Sequence, residues 1–176
     1  RAGRALSVRT PTGRVSAGAV LLAAGPWTGK IAASFGAYVP VRPVRGQMLS
    51  LFGPSPPLWH VIWGQKAYLV PREGNQTFLG ATVEEAGFRK RTTRSALQQL
   101  QRAAAELVPA LKGAAVRSAW AGLRPATPDA LPIMGLLPGF ANLWVATGHF
   151  RNGILLAPAT ARRVTEMVLD SWKTHR

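Results

Sequence analysis

The feature that most constrains the fold is a short apolar segment that runs into a glycine-bounded loop and then into a long helical pattern. Residues 142–146 are apolar enough for a buried strand, the loop is Gly148-His149-Phe150-Arg151-Asn152-Gly153, and a helix is expected to continue to about Trp172. The first turn of a helix presents unpaired backbone N–H groups and a partial positive charge. The pattern therefore predicts a place where a negatively charged group is stabilised, although any strand–loop–helix turn has this polarity.

The helix after this loop has an apolar side that is predicted to face the interior. Its members are Ile154, Leu155, Val164, Met167, Val168 and Trp172. Pro158 fits this helix only in the first turn, because at later positions it removes an intrahelical hydrogen bond.

The first forty residues predict a hairpin, a buried strand and a short helix. Two apolar-rich runs, 5–9 and 15–24, flank the turn-forming sequence Pro11-Thr12-Gly13-Arg14. The second run ends in continuously apolar sequence, which is typical of a strand that is buried on both faces. Thr28 is expected to cap a helix over residues 29–35.

The middle of the chain predicts an antiparallel sheet with one helix packed on it. Residues 39–47 are rich in proline and are expected to form an extended linker at a domain boundary. Four runs separated by Gly, Pro and Asn are predicted as strands: 47–51, 59–63, 67–71 and 77–82. A helix that opens at Thr93 carries leucines on one side. Residues 114–120 are then predicted as a strand and residues 122–129 as a loop.

The formal net charge of +15, from 22 Lys and Arg against 7 Asp and Glu, raises the question of a nucleic-acid partner. The basic residues are scattered in small groups and form no stripe with interleaved aromatic residues, so nucleic acid is not a predicted partner. A non-catalytic basic module that binds a polyanion is the alternative class of function. Such a module would require binding that weakens steeply with salt.

Cysteine is absent, so these residues contain no disulfide, zinc–thiolate site, thiol nucleophile or thioether link to a cofactor. Three histidines and seven scattered carboxylates predict no metal site. The longest apolar run, Ala19 to Pro26, is far shorter than the ~20 residues that a membrane-spanning helix needs. No export-signal pattern follows Arg1, and a soluble cytoplasmic protein is expected.

Two side chains suit a ligand that carries a carboxylate. Arg124 lies between Gly122 and Pro125, and its guanidinium can hold a planar carboxylate by two parallel hydrogen bonds. The alternative for Arg124 is a structural ion pair with Asp129. Tyr68 fits a ligand site and a core position equally well.

Three stretches carry a family resemblance: residues 68–72 with 79–82, residues 120–129, and the thirteen consecutive residues 148–160. Together they resemble the C-terminal portion of the FAD-dependent amino-acid oxidase family, most closely its glycine-oxidase branch of thiamine biosynthesis. The implied fold class is α+β, with an antiparallel or mixed sheet in a substrate domain and the C-terminal elements of a split FAD-binding Rossmann-like domain. The resemblance assigns residues 1–40 and 134–176 to the FAD-binding domain and residues 41–133 to the substrate-binding domain.

The resemblance also implies non-covalent FAD as the cofactor and a small amino acid or amine as the substrate. The residues implied at FAD are Ala24, Gly25, Trp27, Gly122, Gly148, Arg151, Asn152, Gly153, Ile154 and Leu155. Those implied at the substrate are Arg124, which would clamp the carboxylate, Tyr68, which would donate a hydrogen bond to it, and Arg151, which would close the site. No general base is implied, because a neutral amine can lose hydride directly to flavin N5. Imine hydrolysis and peroxide formation from oxygen would follow, and a homo-oligomer is left open.

Three departures from the family pattern bear on these implications. The absence of cysteine removes the covalent flavin link of sarcosine-oxidase relatives, and Lys66 stands where the glycine-oxidase pattern has a histidine, which leaves the substrate open. The Gly-x-Gly-x-x-Gly turn that binds the FAD pyrophosphate does not occur in these residues, so the chain alone is expected to bind FAD poorly and to be inactive. A D-amino-acid dehydrogenase-type relative, which passes electrons to a quinone, is the alternative within the same chemistry.

Overall fold

The structure, a computed structural model of the chain, describes residues 3–55 and 57–173. In chain order the strands are β1 (Ser7–Thr10), β2 (Gly13–Ser16), β3 (Val20–Leu22), β4 (Arg42–Phe52), β5 (Ile62–Trp63), β6 (Tyr68–Arg72), β7 (Gln76–Gly80), β8 (Val116–Ala126), β9 (Ile133–Leu136) and β10 (Leu143–Thr147), and the α-helices are α1 (Thr28–Ala33), α2 (Arg94–Leu107) and α3 (Gly153–Lys173). Short 3-10 helices lie at Gly25–Trp27 and Pro109–Leu111.

The chain divides into two compact units, each with its own core. Unit 1 contains the described parts of residues 1–43 and 124–176, and unit 2 contains those of residues 44–123. The chain passes from one unit to the other within β4 and again within β8. The domain boundaries drawn from the sequence, at residues 40 and 133, stay predictions.

Unit 1 is built on a three-stranded mixed sheet in the order β3-β10-β9. β10 runs parallel to β3, with Trp144 opposite Leu21, and antiparallel to β9. Leu143 and Val145 of β10 pack with Ala32 of α1 in one hydrophobic core. Trp144 points to the opposite face of the sheet, since side chains alternate along a strand. α3 contacts β9 and β10.

A buried amide, Asn142, joins three segments of unit 1. Its Nδ2 donates to the backbone oxygens of Ala5 and Gly18, at 2.8 Å each, and its Oδ1 accepts a hydrogen bond from the Ala5 N–H at 2.8 Å. A buried backbone group that loses such a partner costs about 1–3 kcal/mol. Asn142 therefore fixes the start of β10 against the segments on both sides of the β1–β2 hairpin.

Unit 2 is a five-stranded sheet in the order β5-β6-β7-β4-β8, with one helix packed on it. The pairs β5–β6, β6–β7 and β4–β7 are antiparallel. The core combines buried residues of the sheet with buried residues of α2 and the turn after it: Leu49, Leu51, Ala67, Leu69, Leu79, Leu100, Ala103, Ala104 and Leu111. The predicted antiparallel sheet with a helix against it is confirmed, as is the α+β class.

The single buried strand predicted over residues 15–24 is wrong in extent and in burial. The structure has two separate strands there, β2 and β3, and Leu21 in the middle of β3 is 46% exposed. β3 is only three residues long and lies at the edge of its sheet. Continuous apolar sequence leads to full burial only where other layers cover both faces, and the described residues cover Leu21 only in part.

Thr28 does not cap α1 as predicted. It lies inside the first turn, Trp27 holds the N-cap position, and the Thr28 hydroxyl is buried without a hydrogen-bond partner. The 3-10 helix Gly25–Trp27 runs directly into α1, which leaves no extended residue to supply the usual capping geometry.

The linker predicted at 39–47 and the loop predicted at 122–129 are wrong in part, because long strands enter both. β4 begins at Arg42 and contains Pro43, and β8 continues through Gly122 and Pro125. Pairing of β4 with β7 begins only at Leu49, so the missing N–H of Pro43 costs no hydrogen bond to β7. Arg124 is therefore a strand residue.

α3 also departs from its predicted pattern. It begins at Gly153, so Pro158 lies in the second turn, where it cannot donate to the Ile154 carbonyl. Val164 is buried and Met167 and Val168 are half-buried, as predicted, whereas the predicted inner residues Ile154, Leu155 and Trp172 are exposed. None of the helices in residues 3–55 and 57–173 is long and apolar enough to cross a membrane.

Candidate functional site

The carboxyl ends of two adjacent parallel strands lead into the two segments that the sequence singled out in unit 1. β3 leads into residues 24–27, and β10 leads into the 148–153 loop. The Thr147 hydroxyl donates to the Gly25 carbonyl at 2.8 Å, so the two segments are in direct contact. The carboxyl ends of parallel strands are where α/β sheets bind their ligands.

The backbone of these segments contains turns that favour glycine. Gly25 and Gly148 have φ angles of 53° and 84°. A Cβ on Gly148 would lie 2.6 Å from Cγ2 of Thr127, whereas a Cβ on Gly25 would meet no atom within 4 Å. Gly148 is therefore required by conformation and by packing, and Gly25 presents bare backbone to open space.

Phe150 has a left-handed backbone, with φ 48°, which costs a non-glycine residue about 1–2 kcal/mol. Its N–H donates to the Pro125 carbonyl at 3.0 Å, and the Asn152 N–H donates to the His149 carbonyl at 2.9 Å. The His149 Nε2 atom lies 2.9 Å from the Thr160 hydroxyl of α3. These hydrogen bonds hold the loop in its shape.

Arg124 and Arg151 come together on the ring of Phe150. The guanidinium carbon of Arg124 lies 5.9 Å from the ring centroid and that of Arg151 lies 5.5 Å from it. Arg124 is half-buried, and Arg151 is exposed. Both positive charges therefore lie near one aromatic ring.

The structure does not show the ion pair between Arg124 and Asp129 that was the alternative for Arg124. The Asp129 carboxylate accepts a hydrogen bond from the Leu131 N–H at 3.1 Å, which closes a local turn. The Asp129 carboxylate is thus held within its own turn.

Tyr68 and Gly122 lie in unit 2. The Tyr68 ring packs on Trp63 with centroids 4.9 Å apart, and its hydroxyl lies 3.9 Å from the Met48 sulfur, which is a weak acceptor. Tyr68 also sits directly over Gly80, where a Cβ would come within 2.7 Å of the Tyr68 oxygen. Tyr68 is half-buried, so it is not a fully enclosed core residue.

Lys66, the departure from the glycine-oxidase pattern, forms an exposed ion pair. Its Nζ lies 3.1 Å from the Glu106 carboxylate near the end of α2, and both side chains are mostly in solvent. Exposed pairs of this kind contribute about 0–1 kcal/mol.

Comparison with known proteins decides the family. A family model described as FAD dependent oxidoreductase matches residues 1–167. The chain belongs to this family. The two segments of unit 1 are therefore interpreted as parts of an FAD dependent oxidoreductase.

Individual relatives agree with this assignment. A glycine oxidase of Pseudomonas putida is 39% identical over 166 residues, which are 94% of this chain and 46% of that protein. The bifunctional protein ThiO/ThiG of Trichormus variabilis is 40% identical over 172 residues, which are 96% of this chain and 26% of that protein. The crystal structure of glycine oxidase from Geobacillus kaustophilus is similar with a TM-score of 0.86 at 36% identity, covering 93% of this chain and 45% of that chain. The chain spans about half the length of these glycine oxidases.

The side chains around the two segments fit the flat, largely apolar ring system of a flavin. Ile154 and Leu155, in the first turn of α3, are 94% and 80% exposed, and Trp27 is partly exposed as well. Large apolar side chains left open beside the bare backbone of Gly25 are what a flat ring requires for contact. The predicted FAD residues of unit 1 are thus on two contiguous segments, and their roles stay predictions.

A partly buried cluster of hydrogen-bonded polar residues in unit 2 was not predicted from the sequence. Glu84 accepts hydrogen bonds from Arg45 at 2.5 Å, from Gln47 at 2.8 Å and from Thr82. Gln47 also accepts a hydrogen bond from the N–H of Thr93, the N-cap residue of α2, at 2.7 Å. Burial raises the pKa of Glu84, but these hydrogen bonds and the Arg45 charge outweigh burial and leave the pKa lowered.

This cluster is hard to predict from the sequence, because its members lie up to 48 positions apart (from residue 45 to residue 93) and form no motif. The available signal is a charged and an amide residue within an otherwise apolar strand segment. Within the described part of the chain, no group of three or more His, Asp or Glu side chains is placed to hold a metal ion.

Proposed function

We propose that this chain is the flavin- and substrate-contacting portion of an FAD-dependent oxidase of small amino acids or amines, similar to glycine oxidase. The observation that carries the proposal is the pair of segments at the ends of β3 and β10, with Arg124 and Arg151 gathered on Phe150 beside them. The glycine oxidases among its relatives make glycine the first substrate to test.

The FAD-holding residues in this proposal are Ala24, Gly25 and Trp27 from the first segment and Gly148 and Arg151–Leu155 from the second. When bound, FAD would accept the hydride that leaves the substrate. Gly25 supplies bare backbone for close approach, and Ile154 and Leu155 supply apolar contact. The N-terminal N–H groups and dipole of α3 stabilise negative charge near this loop.

Arg124 would hold the substrate carboxylate, and Arg151 would add a second positive charge from the loop. Two guanidinium groups on one ring favour a ligand with at least one carboxylate, because charge-assisted hydrogen bonds are the strongest available to it. Tyr68 is proposed to donate a further hydrogen bond to that carboxylate.

Catalysis in this proposal rests on positioning and needs no general base. A fixed carboxylate orients the Cα–H of a substrate whose amine is neutral, and orientation of this kind contributes up to ~7–11 kcal/mol to lowering a barrier. Non-covalent binding of FAD is part of the proposal, since the sequence offers no cysteine for a thioether link.

The test uses the full-length product of the gene that encodes this chain, assayed with glycine and other small amines. Flavin reduction by glycine under anaerobic conditions, followed by one peroxide per turnover in air, is the expected result. Flavin reduction without peroxide, but with reduction of a quinone, would indicate a dehydrogenase. A product that binds no flavin, or steep salt-dependent binding of nucleic acid without amine oxidation, would overturn the proposal.

A further inference from the structure

His149 bridges two parts of the 148–153 region that the backbone alone does not connect. Its Nε2 atom lies 2.9 Å from the hydroxyl of Thr160, eleven residues later, in the third turn of α3. Both side chains are half-buried. A neutral imidazole makes this hydrogen bond in either tautomer, because a threonine hydroxyl donates as well as accepts.

The bridge spans the weak point of α3. Pro158 has no N–H, so the Ile154 carbonyl lacks its usual intrahelical partner in the turn that carries Ile154 and Leu155. His149 lies before this point in the chain and Thr160 lies after it. Their hydrogen bond therefore ties the loop before α3 to the part of the helix beyond Pro158.

The same bridge acts on the strained part of the loop. Phe150 is left-handed, and such a conformation persists only when surrounding contacts determine it. On one side Phe150 is held by its N–H bond to Pro125, and on the other the His149 carbonyl accepts the Asn152 N–H. A fixed His149 side chain restricts the rotation of the residue 149 backbone, and with it the conformations open to residues 150–152.

We propose that His149 is a positioning residue, which holds the flavin-facing backbone of the 148–153 loop and the first turn of α3 in place through Thr160. This proposal rests on the proposed function, because it assigns a purpose to a loop that is proposed to meet the flavin. His149 does not take part in the chemistry and acts only through the backbone that it fixes.

The first experiment tests the His149–Thr160 hydrogen bond, called the latch below, in the 176-residue chain itself, without flavin. Amide hydrogen exchange at Phe150, Asn152 and Leu156 is compared in the wild type, His149→Phe, Thr160→Val and the double variant. Each single variant is expected to exchange about three- to tenfold faster at these amides, which is the effect of one lost hydrogen bond, and the double variant no faster than either single one. Thr160→Ser, which keeps the hydroxyl, should restore slow exchange.

Arg162→Gln is the matched control for these variants. Arg162 forms an exposed ion pair with Glu166 on the same helix, at 3.0 Å, and has no contact with the loop in the described structure. It should leave exchange at residues 150–156 unchanged. Unchanged exchange in the His149 and Thr160 variants, or additive effects in the double variant, would overturn the latch.

The second experiment uses the full-length gene product with FAD and measures the FAD dissociation constant and the visible flavin spectrum. The latch variants should weaken FAD binding about three- to tenfold and alter the spectrum, whereas Arg162→Gln should change neither. Faster exchange with unaltered FAD binding and spectrum would refute the positioning role while leaving the latch in place. A wild-type product that binds no FAD would overturn the proposed function, and the positioning role with it, whatever the exchange experiment shows.

Discussion

At the scale of single residues, Glu84 and Arg124 are charged groups that lie in different surroundings. Glu84 accepts three hydrogen bonds from side chains of its own unit, including that of a nearly buried Arg45. Arg124 lies near the end of β8, and its guanidinium carbon is 5.9 Å from the centroid of the Phe150 ring, which Arg151 also contacts. The Glu84 carboxylate therefore serves the fold, whereas Arg124 is the side chain that we propose to bind a ligand.

Substitution of Arg124 by Ala in the full-length product should lower kcat/KM for glycine. The loss should correspond to about 2–4 kcal/mol of transition-state stabilisation, because a charged hydrogen-bond pair is lost. Arg124→Lys should recover only part of this loss, since an ammonium cannot make two parallel hydrogen bonds. Steady-state kinetics with peroxide detection measure both variants.

Arg117→Ala is the control for Arg124, because Arg117 makes a cation–π contact of similar length, 5.9 Å, with Phe52 in unit 2. It should leave kcat/KM unchanged. An Arg124→Ala variant with wild-type apparent affinity for glycine would remove Arg124 from the substrate site.

Glu84 makes the stability of unit 2 depend on pH. Its pKa is lowered from the ordinary value of 4.5, so the folded state prefers the carboxylate. The stabilisation is complete above 4.5 and is lost as the pH falls through the lower folded value. Glu84→Gln should lose about 2 kcal/mol at neutral pH and show a flatter decline in acid. Urea denaturation at a series of pH values measures both effects.

Glu106→Gln serves as the comparison, since Glu106 pairs with Lys66 in solvent. It should change stability little and keep the acid slope of the wild type. If Glu84→Gln were as stable as Glu106→Gln with the same slope, the cluster would not stabilise the fold.

At the scale of elements, the segments proposed to contact the flavin are the turns that follow β3 and β10, and each depends on a glycine for a different reason. Gly148 must avoid Thr127 as well as adopt a positive φ, while Gly25 needs only the positive φ and faces open space. Gly148 thus serves the packing of the fold, and Gly25 leaves open space beside its backbone.

Gly148→Ala should therefore destabilise the chain by about 2–4 kcal/mol, from strain and overpacking together, and Gly25→Ala by only about 1 kcal/mol. Chemical denaturation of the two variants measures this difference. In the full-length product, Gly25→Ala should nevertheless weaken FAD binding, because the new methyl group enters the space assigned to the cofactor. Equal stability losses would show that the Thr127 side chain moves to accommodate the added methyl group. Unchanged FAD affinity in Gly25→Ala would exclude Gly25 from the flavin site.

At the scale of the whole molecule, the main feature is the length of this chain compared with that of its relatives. It spans about half the length of the glycine oxidases that it matches, and the pyrophosphate-binding Gly-x-Gly-x-x-Gly turn does not occur in its sequence. The segments proposed to face the isoalloxazine are present, but the charged diphosphate of FAD has no such turn within these residues.

The 176-residue chain produced alone should therefore purify colourless, and added FAD should not raise its melting temperature. The full-length product should purify yellow. Absorbance spectra of both proteins after the same purification test the difference. A stoichiometric flavin band in the isolated chain would show that these residues hold FAD unaided.

Much of the architecture followed from local patterns in the sequence. The periodic leucines of α2, the strand runs around Leu69 and Leu79, and the glycine-bounded 148–153 loop were all predicted correctly in kind. These features depend on residues a few positions apart, whose side chains either share one face of an element or do not. The same loop also carried the resemblance that led to the family.

The tertiary structure alone decided which distant residues meet and which apolar residues are covered. Arg124 and Arg151 share the ring of Phe150, Thr147 reaches Gly25 across 122 positions, and Asn142 binds Ala5 and Gly18. Sequence reasoning overestimated the burial of β3 and of the start of α3, because apolar composition is the same whether a protein layer or a ligand covers the residue. Whether an apolar side chain is covered depends on how the layers of secondary structure pack, and this is decided only when the chain folds.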